Sequence, residues 1–468
     1  MSDLNQRPSD YKSDALPAEL NWQRALLYIA GNKISSVKIH KSLAFGHRPV
    51  NHIGMIKLPE LLAPAGTLDA FKTAILYGAD AIYAGLPGFS MRARAKITTD
   101  EVKAGIELAH NAEKKVYLAF NLFAHDFEYE NLGRVSDTIN YLRPDALIVS
   151  DPGIVMWVRE NHPDIPIHIS TQANICSARS VKFWQAAGAK LCVLAREVTH
   201  NEFKSIRAAC PDVGLEIFVH GAMCMSYSGR CLLSNFITGR PANRGACAQL
   251  CRWKYDVILR EHDSGVEMPI EEDERGAYIM NSKDLCLMPR LGEVISAAPD
   301  SLKIEGRNRS EYYVGSVVHA YRCAMDAYAA DPAGFDPAPF MNALNVLETR
   351  GYTTAFFDGP VGPDAHDYDT TRSTSEYHAA GVITNATDDE ITLELRNEIK
   401  AGDEITFILP GTMDKATVKP ARLINAANRT EVQKMAAGQH NSIIIPREWL
   451  PDGLGGKFVP YVLAYKHK

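Results

Sequence analysis

The chain has 468 residues, enough for roughly two or three domains, one of them large. With 46% hydrophobic and 23% charged residues and no apolar run long enough to cross a bilayer, its composition is ordinary for a soluble enzyme and excludes a bundle of membrane-spanning helices. The net charge of −6 excludes a uniformly basic nucleic-acid binder, while leaving room for local basic patches.

Residues 1–16 are polar and lack an apolar signal core, which argues against secretion, and an odd total of 9 cysteines points to the cytoplasm. Residues 1–54 form an N-terminal extension without any strand of the repeat that follows. One helix is expected over Leu20–Ala30, with the outermost residues disordered. Met55 opens the first strand segment and is a second place at which translation could begin.

From 55 to 330 short β-branched or apolar runs alternate with helix-like stretches. The strand candidates are Leu58–Pro64, Asp80–Gly85, Lys115–Asn121, Asp145–Asp151, Pro166–Gln172, Lys190–Arg196, Leu215–Gly221 and Ser301–Gly306. Segments such as Thr67–Tyr77, Thr99–Glu113 and Ser177–Ala187 between them carry helical apolar spacing. Strands and helices in such alternation predict an α/β fold, a (β/α)8 TIM-like barrel; a doubly wound open sheet would not need eight strands in series.

Two strands alternate unusually. In Ile167–Gln172 the isoleucines take one face while His168, Ser170 and Gln172 take the other, and Ser301–Glu305 repeats this with Lys303 and Glu305. The outer face of a barrel strand packs on helices, so the polar face is expected to look inward, where polar groups near strand ends are candidates for catalysis. The alternative is that these groups pair among themselves, Lys303 with Glu60 for example.

The seventh and eighth strands are separated by a long excursion, 221–300, that carries Cys224, Cys231, Cys247 and Cys286. Thiolates gathered in a reducing compartment are more often metal ligands than disulfide partners, and four from separate loops suit zinc or a cubane iron–sulfur cluster. No pair of Cys-x-x-Cys knuckles is present, which counts against a zinc ribbon. Cys251, one helical turn after Cys247, competes for a ligand place, and burial as small hydrophobes is the plain alternative; Cys176, Cys192, Cys210 and Cys323 suit it well. Between Gly221 and Tyr255 there is no acidic residue, while Arg230, Arg240, Arg244, Arg252 and Lys254 interleave with Tyr227, Phe236, Trp253 and Tyr255. Such a strip can hold phosphates and stack bases, or simply favour negative thiolates.

A helical segment after Tyr312 leads to the linker-like Asp331–Pro337, and residues 331–375 form a helical and irregular connector. Over 376–468 short alternating strands predict a small all-β barrel domain: Ala379–Thr384, Glu390–Arg396, Asp403–Leu409, Lys415–Ile424 and Ser442–Ile445. No Gly-x-Ser-x-Gly elbow, His-Glu-x-x-His helix or Walker loop occurs. His220 lies near Ser226 and Ser228 in sequence, but nothing supplies an orienting acid or an oxyanion hole.

Glu60-Leu-Leu-Ala-Pro-Ala-Gly, Asp80-Ala-Ile-Tyr-Ala-Gly, the run from Phe218 to Ser234, Asn243-Arg-Gly-Ala-Cys-Ala-Gln-Leu-Cys-Arg-Trp and Leu302-Lys-Ile-Glu-Gly-Arg together resemble the peptidase U-32 (collagenase-like) family. The resemblance runs from about Leu58 to the end and leaves the N-terminal extension unaccounted for. Despite its name, it implies an iron–sulfur protein that modifies RNA or quinone precursors by hydroxylation. Length, the triplet Cys251-Arg-Trp and the appended β domain are most similar to the branch that hydroxylates wobble uridine of tRNA to 5-hydroxyuridine, the precursor of oxyacetyl uridine. That branch implies prephenate as co-substrate, a [4Fe–4S] cluster on Cys224, Cys231, Cys247 and Cys286 with Cys251 a non-ligand, and partners that include tRNA and the iron–sulfur assembly machinery with its cysteine desulfurase. For a dicarboxylate such as prephenate, Arg196, Arg307 and Lys303 are expected at the barrel mouth, with Arg92 and Arg94 as alternatives. His168 and Glu305 are the expected acid–base groups, with Lys303 beside them. The alternatives are hydroxylation of a ribosomal RNA cytidine, a metal-dependent collagenase-like peptidase, and a purely structural or tRNA-binding role.

Overall fold

A computed structural model of the chain describes residues 57–87, 97–122, 124–223, 233–238, 240, 247–250, 258–260, 267–269, 282–361, 365, 373–438 and 441–468. The N-terminal extension, its expected helix and the second candidate start at Met55 lie outside these. The chain divides into two compact units, with the division between Ser375 and Glu376.

In the first unit, β1 (Glu60–Pro64), β2 (Ala81–Gly85), β3 (Lys115–Phe120), β4 (Ala146–Val149), β5 (Ile167–Ile169), β6 (Ala189–Val193) and β7 (Gly214–Ala222) pair in series, all parallel. A short hairpin, β8 (Ile258–Arg260) and β9 (Glu267–Pro269), and β10 (Asp284–Cys286) follow. The eighth barrel strand, β11 (Ser301–Ile304), pairs in parallel with both β7 and β1 and closes the ring. The predicted (β/α)8 barrel is therefore the observed one.

Local sequence explains why helices start where they do. Thr67 caps the helix Leu68–Leu76 by accepting from the Ala70 amide at 3.1 Å. Thr98 with Glu101, and Thr199 with Glu202, form reciprocal capping boxes for helices Thr99–Asn111 and His200–Ala209. Asp151 caps the helix Pro152–Asn161, whose proline occupies the first turn, where its missing N–H costs nothing. The long helix Glu311–Ala330 packs on the helix Leu68–Leu76 and on β1, burying Tyr321 and Met325.

β7 runs on for 9 residues because, besides β6, it serves two further partners. Its first part pairs with β11; its last three residues take β10 antiparallel, with Ala222 opposite Asp284 and His220 opposite Cys286. β10 in turn takes β12 (Tyr352–Thr353) in parallel. This added ribbon sits at the C-terminal end of the barrel, the end that carries the sites of barrel enzymes.

Two glycines are required here. Gly221 has φ 115°, and a Cβ on it would lie 2.6 Å from the Glu305 carbonyl oxygen. A Cβ on Gly66 would lie 1.9 Å from the Arg307 carbonyl oxygen. Gly66→Ala is accordingly expected to push the Arg307 segment off β1 and destabilise the barrel by about 1–3 kcal/mol. Denaturant melts of the two proteins would show it, and coincident melts would refute it.

The described residues of the second unit are built mainly from strands. Its main strands are β13 (Tyr377–Ala386), β14 (Glu390–Leu395), β16 (Ile405–Ile408), β17 (Lys415–Val418), β18 (Leu423–Asn425), β19 (Glu431–Val432), β21 (Ser442–Pro446) and β22 (Leu463–His467). They form an antiparallel half-barrel in the order β17-β16-β22-β13-β14-β21-β18-β19. The remaining two-residue strands, β15 (Ile399–Lys400) and β20 (Lys434–Met435), pair with each other. The single run expected over Lys415–Ile424 is two strands, because Pro420 has no N–H for a ladder and its carbonyl instead accepts from Gly402.

Candidate functional site at the C-terminal mouth of the barrel

In a parallel barrel, residues in register on neighbouring strands share a face. Leu62, Ala81, Tyr83, Tyr117, Ala119, Ala146 and Ile148 form one buried cluster on the inner face of β1–β4. Registers continue that face to His168, beside Ile148, and to Lys303, beside Leu62. The alternation in the sequence thus marked the inward face correctly.

Inside the barrel Lys303 Nζ lies 2.7 Å from Glu216 Oε1, with both side chains buried, and 4.4 Å above the Tyr83 ring. Glu60, the partner offered as an example for Lys303, instead accepts from the Tyr117 hydroxyl at 2.9 Å and lies 3.4 Å from Lys115 Nζ. The physical reason is position. Glu60 stands at the N-terminal end of its strand, in register with Ser301, whereas Lys303 is two residues further up.

His168 is 8% exposed and packs edge-on against Tyr117, with ring centroids 4.7 Å apart. Burial, then the positive charges of Lys303 and Lys115, push its pKa down to about 3, so the ring is neutral. It lies in the middle of β5, deeper than the strand ends.

At the mouth, Arg196 follows β6 and Glu305 follows β11. Arg196 Nη2 lies 3.1 Å from Glu305 Oε2, and its guanidinium sits 3.9 Å over the Phe218 ring. Glu305 is held by its backbone: its N–H donates to the His220 carbonyl, and its carbonyl accepts from the Tyr313 hydroxyl at 3.0 Å. Arg307 is buried, with its guanidinium 5.8 Å from the centre of the Tyr83 ring. The structure therefore brings Arg196 to Glu305, and Lys303 and Arg307 to Tyr83. Cations held against aromatic faces can bind a carboxylate, and here Lys303 and Arg196 also face the carboxylates of Glu216 and Glu305. Arg92 and Arg94 lie outside the described residues.

The cysteine excursion is described in part. Cys224, Cys231 and Cys251, and the strip residues Arg230, Arg244, Arg252 and Lys254, lie outside the described residues. Cys247 is exposed, and its segment is tied to the helix Leu233–Thr238 by the Ala248 amide donating to Ser234 Oγ at 2.9 Å. Arg240 reaches the Cys247 carbonyl at 3.5 Å, so one strip cation stands beside one cysteine. Among the described residues no three His, Cys, Asp or Glu side chains converge as a metal group.

Cys286 tests whether these residues suit an iron–sulfur cluster. It is a free cysteine, 1% exposed, with Sγ 3.8 Å from the Tyr321 hydroxyl oxygen and 3.7 Å from Met341 Sδ. Burial pushes its thiol up to about 11, so it is unreactive when free, while a coordinated metal would deprotonate it outright. A free, enclosed thiol is a fitting ligand. Of the cysteines expected to be small hydrophobes, Cys192 and Cys210 are buried and Cys323 is partly so. Cys176 is exposed, because it stands in the turn before the helix Ala178–Ala186.

Sequence reasoning missed the surroundings of Cys286. His220, opposite it on β7, is fully buried among the rings of Tyr313, Tyr321 and Tyr352, at 5.4–6.0 Å. Asp284, on the same face of β10 as Cys286, lies 3.7 Å from Arg309 and 3.6 Å from Arg350.

A closed (β/α)8 barrel with a charged interior, an arginine-bearing mouth and a cysteine ribbon beside that mouth has the form of a barrel enzyme. The chain belongs to peptidase family U32, whose family model matches residues 66–367. It is 38% identical over 358 residues to tRNA hydroxylation protein P1 of Bacillus subtilis (strain 168), covering 76% of this chain and 84% of that protein. It is 37% identical to the 23S rRNA 5-hydroxycytidine C2501 synthase of Escherichia coli (strain K12), over 57% of this chain but 39% of that protein. A collagenase of Porphyromonas gingivalis (strain ATCC BAA-308 / W83) is 30% identical, over 84% of this chain and 96% of that protein. No helix among the described residues is long and apolar enough to cross a membrane.

Proposed function

We propose that this chain hydroxylates tRNA, converting the wobble uridine to 5-hydroxyuridine with prephenate as co-substrate. The observation that carries this reading is the similarity to a tRNA hydroxylation protein over most of both chains. The ribosomal RNA synthase is matched over less than half its own length, which favours the tRNA substrate. In this reading Cys224, Cys231, Cys247 and Cys286 hold a [4Fe–4S] cluster, which when bound supplies one-electron redox chemistry. Arg307 and Arg196 bind the carboxylates of prephenate beside Lys303, and neutral His168 and Glu305 are the groups that exchange protons with the substrate. Arg230, Arg240, Arg244, Arg252 and Lys254 hold the anticodon loop, whose wobble base is already unpaired and costs less to extrude than a duplex base. Loading the cluster calls on the iron–sulfur assembly machinery, and the reaction belongs to the cytoplasm, where charged and uncharged tRNA reside.

Nucleoside mass spectrometry of a deletion strain tests the reading. Nucleosides derived from 5-hydroxyuridine should vanish from its tRNA and return on complementation, while 5-hydroxycytidine in ribosomal RNA stays constant. Loss of the ribosomal nucleoside instead, or collagen hydrolysis by the purified chain with tRNA unchanged, would replace it.

A further inference from the structure

Two groups of opposite charge at the barrel mouth already occupy each other. Arg196 Nη2 lies 3.1 Å from Glu305 Oε2, and the two side chains are only 8% and 13% exposed. In the reading above, Arg196 binds a carboxylate of prephenate while Glu305 exchanges protons with the substrate. The pair as it stands serves neither role. The carboxylate that Arg196 meets is the protein's own, and the Glu305 oxygen that would take a proton faces a guanidinium.

The two partners are anchored differently, and that decides which one moves. The Arg196 guanidinium lies 3.9 Å over the Phe218 ring, an attraction that does not depend on Glu305. Glu305 is fixed through its backbone, by its hydrogen bonds with His220 and Tyr313 and by the close approach of Gly221, where a Cβ would come 2.8 Å from the Glu305 Cβ. Beyond Cβ its side chain keeps its own torsions, so the carboxylate can turn away while the arginine stays where the ring holds it. The other cations are near. Lys303 Nζ lies 5.6 Å from the centre of the same Phe218 ring and 4.4 Å from that of Tyr83, which Arg307 faces at 5.8 Å. Phe218 and Tyr83 thus link three cations, of which Lys303 is answered by Glu216 and Arg196 by Glu305. A ligand with one carboxylate need meet only Arg307. A ligand with two brings its second to Arg196 and finds Glu305 there.

We propose that Glu305 is a latch on Arg196, opened by the second carboxylate of a dicarboxylate ligand. The proposal rests on the prephenate site of the reading above. The incoming carboxylate takes over the Arg196 guanidinium, and the Glu305 side chain swings free toward the substrate. Dicarboxylate binding thereby releases the group that exchanges protons, whereas an acid with a single carboxylate leaves it latched. No covalent bond forms or breaks, and the arginine is answered by a carboxylate before and after. The latch lowers affinity, because the ligand competes with a carboxylate of the protein, and in return it selects for two charges over one.

The test is calorimetric titration of full-length protein with prephenate, which has two carboxylates, and with phenylpyruvate, which has one. Glu305→Gln keeps the size of the side chain and removes the competing charge. It should bind prephenate about tenfold more tightly than wild type, the scale of one charge-assisted hydrogen bond, while phenylpyruvate binding changes by less than about twofold. Arg196→Gln should weaken prephenate binding, and in that background Glu305→Gln should add nothing. If Glu305→Gln does not fold, Glu305→Asp, whose carboxylate falls a methylene short of Arg196, takes its place with the same expected direction. Unchanged or weaker prephenate binding in Glu305→Gln overturns the latch, since a carboxylate that only positions Arg196 would be missed by the ligand. An equal gain for phenylpyruvate overturns it too, as a general effect of charge at the mouth. Wild-type protein that binds no prephenate at all overturns the reading of the site and the latch with it.

Discussion

Lys303→Ala is expected to destabilise the barrel by about 3–5 kcal/mol, the cost of leaving one member of a buried ion pair uncompensated. Glu216 is 1% exposed, and its second carboxylate oxygen already has no hydrogen-bond partner among the described residues. Once the lysine is gone, that carboxylate must stay charged in a low-dielectric interior or take up a proton. Glu216→Gln should cost less, because Lys303 keeps the face of Tyr83 at 4.4 Å as a second attractive partner. Replacing both members together, by Met at 303 and Leu at 216, removes the charges in matched volume and should recover most of the loss. Chemical denaturation of the four proteins compares these losses directly. A Lys303→Ala loss below about 1 kcal/mol would mean that water reaches the pair.

That pair also shows what a sequence can and cannot disclose about such a site. The period-2 alternation in Ile167–Gln172 and Ser301–Glu305 is a local signal, so it exposed the inward face and with it His168, Lys303 and Glu305. Pairing is decided by barrel closure, which sets β7 beside β11 and so gives Lys303 to Glu216. The mouth residues Arg196 and Arg307 were expected as cationic donors for a dicarboxylate, but the Arg196–Glu305 contact joins residues 109 apart in sequence. The ribbon around Cys286 was not legible as structure. β10 has 3 residues and β12 has 2, both too short to carry a period, and Arg350 sits in a stretch that reads as irregular connection. Only the tertiary arrangement shows that its guanidinium is buried.

The barrel should also lose stability steeply as pH falls below about 6.5. Burial pushes His168 down to about 3 and His220 and His319 to about 4, so all three are neutral in the folded protein at pH 5. In the unfolded chain the same rings titrate near 6.5. Depressed folded values mean that their stability is fully present above the unfolded pKa and is lost as pH falls toward the folded ones. Across that window the unfolded chain binds the extra protons, at about 1.4 kcal/mol per pH unit for each histidine and about 4 kcal/mol per unit for three. Glu60, Glu197 and Asp326 oppose this, since burial raises their pKa values and the folded state then holds protons that the unfolded chain has released. The histidines dominate because their window extends to pH 6.5, above the ordinary range of carboxylates. His319 isolates the effect: it lies on the helix Glu311–Ala330, edge-on to Tyr77 at 5.6 Å. His319→Phe should therefore flatten the fall in stability between pH 6.5 and 5 by roughly one-third of the histidine slope. Urea midpoints at several pH values would read this directly, and a variant whose profile parallels wild type would show that the ring is already charged in the folded protein.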